Sequence, residues 1–221
     1  MRANNPPSSY SLKRYALAPG DQGQVGSCVT WATGYSAYGI LMNEQGIKGA
    51  PMAPMFIYSQ IARGVDQGTY AAVALAMEKA QGIDTRADYR QGDFDFTTQP
   101  DRHEKANAAH YKISGFTDLT SAPDRITAIK SAIASGSPVV IGLRVKDSIY
   151  ALASTNDIYP NTGTVVGGHE VTIVGYSKDY VTVQNSWGKG WGNGGFFRIR
   201  WNVITGSDTV EINSVGKLVH A

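Results

Sequence analysis

Residues 21–46 read "DQGQVGSCVTWATGYSAYGILMNEQG". The stretch opens as a glycine-bearing turn. Past Cys28, the residues Trp31, Tyr35, Tyr38 and Met42 recur at steps of four, three and four, until Gly46. That is the period of one helix face, and a glycine just beyond the last periodic residue is a stop signal. The spacing predicts a helix starting at Cys28. Cys28 is also the only cysteine of the chain. A helix N-terminus offers free N–H groups and partial positive charge. Both favour the thiolate, the reactive form of cysteine. Without further context a free cysteine reads as a small buried hydrophobe. The rest of the chain decides between the two.

The helical pattern continues outward from this stretch. "APMFIYSQIARG" predicts a second short helix. "TYAAVALAMEKAQG" predicts a third, with Tyr70, Val73, Ala74 and Met77 facing inward and Gly82 as its stop. Ile126, Ile129 and Ile133, with Pro123 near the start, mark one more. The pattern then changes period. "PVVIGLRV", "HEVTIVGY", "YVTVQNSW" and "GFFRIRW" are short β-rich runs parted by turn residues, as antiparallel strands are. Helices followed by strands predict an α+β fold of two lobes. The cluster from Gly188 to Gly195 lies between strands and no helix follows it, so it is not a phosphate cradle.

Composition narrows the function. The chain has 221 residues, enough for one large domain or two lobes sharing a core. A net charge of +2 gives no footing for nucleic acid or an anionic membrane. No apolar run reaches the length of a membrane span. "MRANNPPSSYSLKRY" has no apolar core and does not read as a secretory signal. Its "NNPPSS" reads as a linker, so residues 1–17 are expected to be an N-terminal arm. One cysteine excludes an internal disulfide and a thiolate zinc cage. His103, His110, His169 and His220 lack metal-ligand spacing, so no metal and no cofactor are expected.

His169, in "GGHEV", follows two glycines that permit close approach by another element. Asn185, in "VQNSWGKGWGNGG", ends the next strand. A cysteine nucleophile needs a base, and the base needs a third group to fix its ring. Cys28, His169 and Asn185, in that chain order, supply all three.

With these residues in hand, the chain resembles the papain-like cysteine peptidases, from about Ala18 to the end of "FFRIRW". "DQGQVGSC" is similar to that family's "NQGxCGSC", "QNSWGKGWGNGGFFRIR" to its asparagine loop, and "AQGIDTRADY" to its "NGIxTExxYPY". The resemblance implies a helical left lobe, a barrel-like antiparallel right lobe, and an active site in the cleft between them. It places the peptidase domain at 18–221, with the helical lobe over about 20–110 and the β lobe over about 111–221. It implies that Gln22 donates to an oxyanion, that Asn185 orients His169, and that Trp187 shields their bond from water. Gly68 would dock an extended substrate, beside Gln67 where the family has another glycine.

The chain departs from the family pattern elsewhere. Val29 follows the cysteine where the family has tryptophan. Val25 and Val65 stand where the family has a cystine, which suggests apolar packing in place of a covalent link and suits a reducing compartment. Glu170 follows the base where the family has a small residue. The resemblance puts this position beside the pocket for the second residue before the scissile bond. A carboxylate there would favour a basic or polar side chain, unless it turns to solvent or pairs with a cation.

The remaining polar residues read as ordinary. His103 and His110 flank the solvated stretch "DRHEKANAAH", His220 is in the tail, and Asp93 and Asp95 belong to a loop. The expected activity is peptide-bond hydrolysis of protein substrates through an acyl-enzyme. A papain-like deamidase or transglutaminase is the alternative within the same chemistry. A silent binding module is the alternative outside it, although silent modules commonly lose the cysteine or histidine kept here. About twenty residues precede the glutamine motif, too few for an inhibitory propeptide. The expectation is a bacterial-type enzyme, cytoplasmic or delivered by a specialised secretion route into a reducing compartment. A separate inhibitor protein would hold it, as for effector or toxin domains.

Overall fold

The structure is a computed structural model that describes residues 5–219; the expectation for His220 lies outside them. The predicted helix runs over 28–45, and Gly46 ends it at φ 69°. That is the left-handed conformation which only glycine adopts freely. The helix differs from the reading in two respects. Its middle, Trp31–Ala37, is wound as a π-helix. The Ala32 carbonyl within that stretch accepts a bond from Thr172 Oγ1 at 2.9 Å. And the helix is buried on every side from Val29 to Met42, not along one stripe. It is a core helix, not an amphipathic surface one. Gly34 and Gly39 allow this: a Cβ on Gly34 would stand 2.6 Å from Ile83, and one on Gly39 2.6 Å from Leu17.

The second helix is Pro54–Ala62, with proline in its first turn, and the third is Ala71–Gln81. The inward face of the third differs from the expected one. Tyr70 and Val73 are exposed, Met77 is half-buried, and the buried stripe is Ala71, Ala74, Leu75 and Glu78. Ala71 and Ala74 let this helix approach the core closely beside Leu75, while Tyr70 and Val73 turn outward. "DRHEKANAAH" is largely a helix, Arg102–Ala108. A capping box holds its start: Asp101 accepts from the Glu104 N–H while Glu104 accepts from the Asp101 N–H. His103 is exposed but bonds Asp88 at 3.0 Å, and His110 is exposed. Asp124 caps the helix Arg125–Ala134, which buries Ile129 and Ile133. A one-turn helix, Trp201–Ile204, follows later.

The strands are β1 (Tyr10–Ser11), β2 (Lys112–Ile113), β3 (Phe116–Asp118), β4 (Val139–Lys146), β5 (Ile158–Tyr159), β6 (Val165–Tyr176), β7 (Tyr180–Gln184), β8 (Phe196–Arg200), β9 (Thr209–Val215) and β10 (Leu218–Val219). The main sheet has the order β3-β9-β4-β6-β7-β8-β5, and β1 pairs with the end of β6. It is an open sheet among the described residues, antiparallel except where β5 meets β8. The four β-rich runs of the sequence are β4, β6, β7 and β8, while β9 was not read from it. Strand alternation divides β4 between two cores. Val139, Ile141, Leu143 and Val145 join the β-lobe core, whereas Val140 joins the core around the central helix. Leu12, next to β1, is fully buried in the β-lobe core.

Candidate active site

The site lies in a cleft of about 830 Å3 between the start of the central helix and strands β4 and β6 of the sheet. Backbone pairing sets its geometry. The Gln22 N–H bonds the Ser186 carbonyl at 2.9 Å, the Gly188 N–H bonds the Gly20 carbonyl at 2.8 Å, and Asp21 pairs with Trp187 between them. Segments more than 160 residues apart in sequence are thus laced side by side. The bond from Ser186 Oγ to Gln22 Oε1, at 2.7 Å, fixes the amide's orientation. Its Nε2 then faces the Val25 carbonyl at 3.0 Å, which leaves the second N–H of that amide unused by this bond.

Cys28 is the first residue of the central helix and lines the cleft. His169 faces it from β6. The His169 Nε2 lies 2.7 Å from Asn185 Oδ1, and the Ser186 N–H also bonds that oxygen, at 2.8 Å. Asn185 directly follows β7 and is 1% exposed. The Trp187 ring stacks on the His169 ring with centroids 4.7 Å apart, and Tyr150 stacks on Trp187 from outside. Burial pushes the Cys28 thiol up, although the N–H groups of Glu170, Val29 and Cys28 itself favour the thiolate. Burial drives His169 down to about 4, against the Asn185 bond, which favours the imidazolium. Each group alone is therefore held neutral. Proton transfer from one to the other forms a thiolate–imidazolium pair without changing the charge of the site.

All eight residues singled out in the sequence converge here. Gln22, Cys28, His169 and Trp187 line the cleft, Gln67, Gly68 and Glu170 form its wall and floor, and Asn185 backs His169. One expectation fails. Val25 is buried but Val65 is 55% exposed, so the two valines do not form a packed replacement for a cystine. The tie between these walls is polar and comes from the next residue. Both Asp66 carboxylate oxygens accept the Gly26 N–H at 3.1 Å. The Tyr58 hydroxyl donates to Asp66 and accepts the Gly68 N–H at 3.1 Å. Burial and the Asp66 carboxylate push the Tyr58 phenol up to about 12, so it stays a donor. Asp66, Tyr58, Ser186 and Glu211 were missed in the sequence. Asp66 adjoins the glycine that was read, but nothing in the sequence pairs it with Gly26.

Glu170 points from the floor of the cleft toward the central helix, on the same sheet face as Thr172. It does not turn to solvent, and no cation among the described residues pairs with it. It is 3% exposed, and its neighbour is the carboxyl of Glu211 on β9. Among the described residues, no cluster of three or more His, Cys, Asp or Glu side chains is placed to hold a metal ion. No helix there is long and apolar enough to cross a membrane.

A two-lobed α+β fold with a buried His–Asn pair facing a helix-borne cysteine defines a class of thiol hydrolase scaffolds. The model of the papain family of cysteine proteases matches residues 12–216, and the chain belongs to that family. The chain is 29% identical over 211 residues to the uncharacterized peptidase C1-like protein L477 of Acanthamoeba polyphaga mimivirus, covering 86% of this chain and 66% of that one. It is 28% identical to cathepsin S of Bos taurus, covering 82% of this chain and 55% of that protein. The chain thus spans less than two thirds of the length of these relatives. Xylellain, a cysteine protease from Xylella fastidiosa, superposes with a TM-score of 0.83 at 22% identity, covering 97% of this chain and 87% of that one. The Carica candamarcensis cysteine protease CMS1MS2, solved in complex with E-64, superposes at 0.72 and 20% identity, covering 96% and 99%. These two likenesses concern the fold.

Proposed function

We propose that the chain is a cysteine endopeptidase that hydrolyses peptide bonds of protein substrates. The observation that carries this reading is the bond between His169 Nε2 and Asn185 Oδ1, 2.7 Å long and covered by Trp187. It leaves the other ring nitrogen for the Cys28 proton. In the proposed reaction His169 takes that proton and the sulfur attacks the substrate carbonyl carbon. The Gln22 amide and the Cys28 N–H stabilise the oxyanion. His169 then gives the proton to the leaving amine, whose C–N bond breaks. Water, deprotonated by His169, releases the acyl group and restores the thiol. Gly68 and Gln67 line the wall along which an extended substrate docks, and Glu170 contacts a side chain on the unprimed side.

The test compares new protein termini generated by the wild type and by Cys28→Ala. Termini that depend on Cys28, with labelling of Cys28 by a thiol-directed epoxide, are expected. Ammonia release from glutamine side chains without backbone cleavage would replace this reading with a deamidase. We further infer a role as a bacterial-type effector or toxin domain restrained by a separate inhibitor protein. A fold tied by hydrogen bonds rather than cystines suits work in a reducing compartment. Expression of the wild type is expected to harm a bacterial host while Cys28→Ala does not; harmless expression of active enzyme would count against the role.

A further inference from the structure

We propose that a second cavity, in the β lobe, binds a phosphate group. This site stands apart from the peptidase reading: the cavity of about 310 Å3 shares no lining residue with the cleft. Three parts of the chain build it. The register of β7 and β8 sets Thr182 opposite Arg198, with Phe196 two residues along, so the three side chains stand on one face of the sheet. The N-terminal arm adds Ser11, at the end of β1, and Lys13, in the turn Lys13–Tyr15. The segment after Leu152 adds Ser154 and Asp157, and its Ala153 pairs with Gly192, next to Asn193 on the rim.

The charges of the cavity do not cancel. Asp157 is the one carboxylate among the lining residues, and both its oxygens are engaged. Oδ1 accepts Arg198 Nε and Nη2 at 3.0 and 2.7 Å, and Oδ2 accepts Asn193 Nδ2 at 3.4 Å. Lys13 has no carboxylate partner among the described residues. Its ammonium stands over the Phe196 ring, 4.3 Å from the centroid. A cation–π contact steadies the ammonium and leaves N–H groups of it free. Two cations face one carboxylate, and one positive charge is left uncompensated.

Donors are in surplus as well. Arg198 Nη1 takes no part in the pair with Asp157. Ser11 Oγ accepts the Lys13 N–H at 3.2 Å, which leaves its own O–H to donate. The hydroxyls of Thr182 and Ser154 have no partner among the described residues. Arginine and lysine are the side chains that bind phosphate, the one by its fork and the other as a point charge. A carboxylate holds its acceptors in one plane, whereas a phosphate presents oxygens in several directions, as donors from three parts of the chain require. The volume lies at the small end of small-molecule sites, so the phosphate can carry an organic stem, with the half-buried Phe196 as its apolar wall.

The test is calorimetric titration of the whole chain with inorganic phosphate and with O-phosphoserine, at one ionic strength held with sodium chloride. Saturable binding at one site is expected, with a Kd of about 1 mM or tighter. Lys13→Gln is expected to weaken it about tenfold or more. Thr182→Val, which changes no charge, should weaken it several-fold. Lys178→Gln removes an exposed charge outside the cavity and should leave it unchanged. Arg198 is kept, because its loss would strand the Asp157 carboxylate. Tighter binding of phosphoserine assigns the site to a phosphate ester, and equal binding assigns it to the free ion; either supports the site. Absence of saturable binding, or equal Kd values for wild type and Lys13→Gln, overturns it. Equal weakening by Lys13→Gln and Lys178→Gln overturns it too, because the attraction is then diffuse charge.

Discussion

Gln22 shows how much of the site depends on single bonds. Its amide is held by Ser186 on one side and by the Val25 carbonyl on the other. A donor fixed before the reaction costs no reorganisation when the oxyanion forms. Gln22→Ala is therefore expected to lower kcat by roughly a hundredfold or more, with KM little changed. Ser186→Ala should give a smaller fall, because the amide is then free to turn; steady-state kinetics on one peptide checks both. The protonation of His169 sets the acid limb. Burial holds its pKa near about 4, and below that value the ring takes a proton from solvent and can no longer accept the one from Cys28. A pH profile of kcat/KM is expected to hold into mildly acidic solution and fall as pH drops through about 4. A limb near pH 6.5, the ordinary histidine value, would contradict this account.

At the scale of elements, the third helix carries a buried acid that the site does not use. Glu78 is fully buried, with Thr33 Oγ1 donating to it from the π-helical stretch at 2.6 Å. Burial raises its pKa from 4.5 to about 8. The folded state thus holds this proton more tightly than the unfolded chain does. The resulting stability is fully present below about pH 4.5, shrinks as pH rises, and is gone once pH passes about 8. Thermal midpoints are expected to fall over that interval, and Glu78→Gln, which keeps an acceptor for Thr33, to flatten the fall. The Asp66 tie makes a different demand. Asp66→Ala frees the Gly26 loop from the Gly68 wall, so KM should rise several-fold at a stability cost of about 1 kcal/mol, since the Gly26 bonds are exposed and the Tyr58 bond is only partly buried. These elements also show what could be read in advance. Helix period and strand alternation marked the central helix and β4, β6, β7 and β8, because burial imposes those repeats. The third helix is rotated from the expected face because its inward stripe, Ala71, Ala74, Leu75 and Glu78, includes a buried carboxylate, which no hydrophobic pattern reveals. β9 was missed, and Glu211 with it. The candidate residues Cys28, His169 and Asn185 were legible because each sits in a distinctive local motif, and the fold brings them to one cleft. Asp66, Ser186 and Glu211 act through partners on other segments, and only the folded register brings them together.

For the whole molecule, the absence of a disulfide has a direct consequence. With one cysteine in 221 residues, no internal cystine ties the lobes, so adding reductant is expected to leave the thermal midpoint unchanged while keeping Cys28 active. A drop in the midpoint would reveal a covalent link between chains. What joins the lobes instead is strand β4. Its odd residues belong to one core and Val140 to the other, and Thr172 on the neighbouring strand bonds the central helix. The strand is a party wall, and neither household can be demolished while the other stands. Calorimetry should therefore record one endotherm, with calorimetric and van't Hoff enthalpies in agreement.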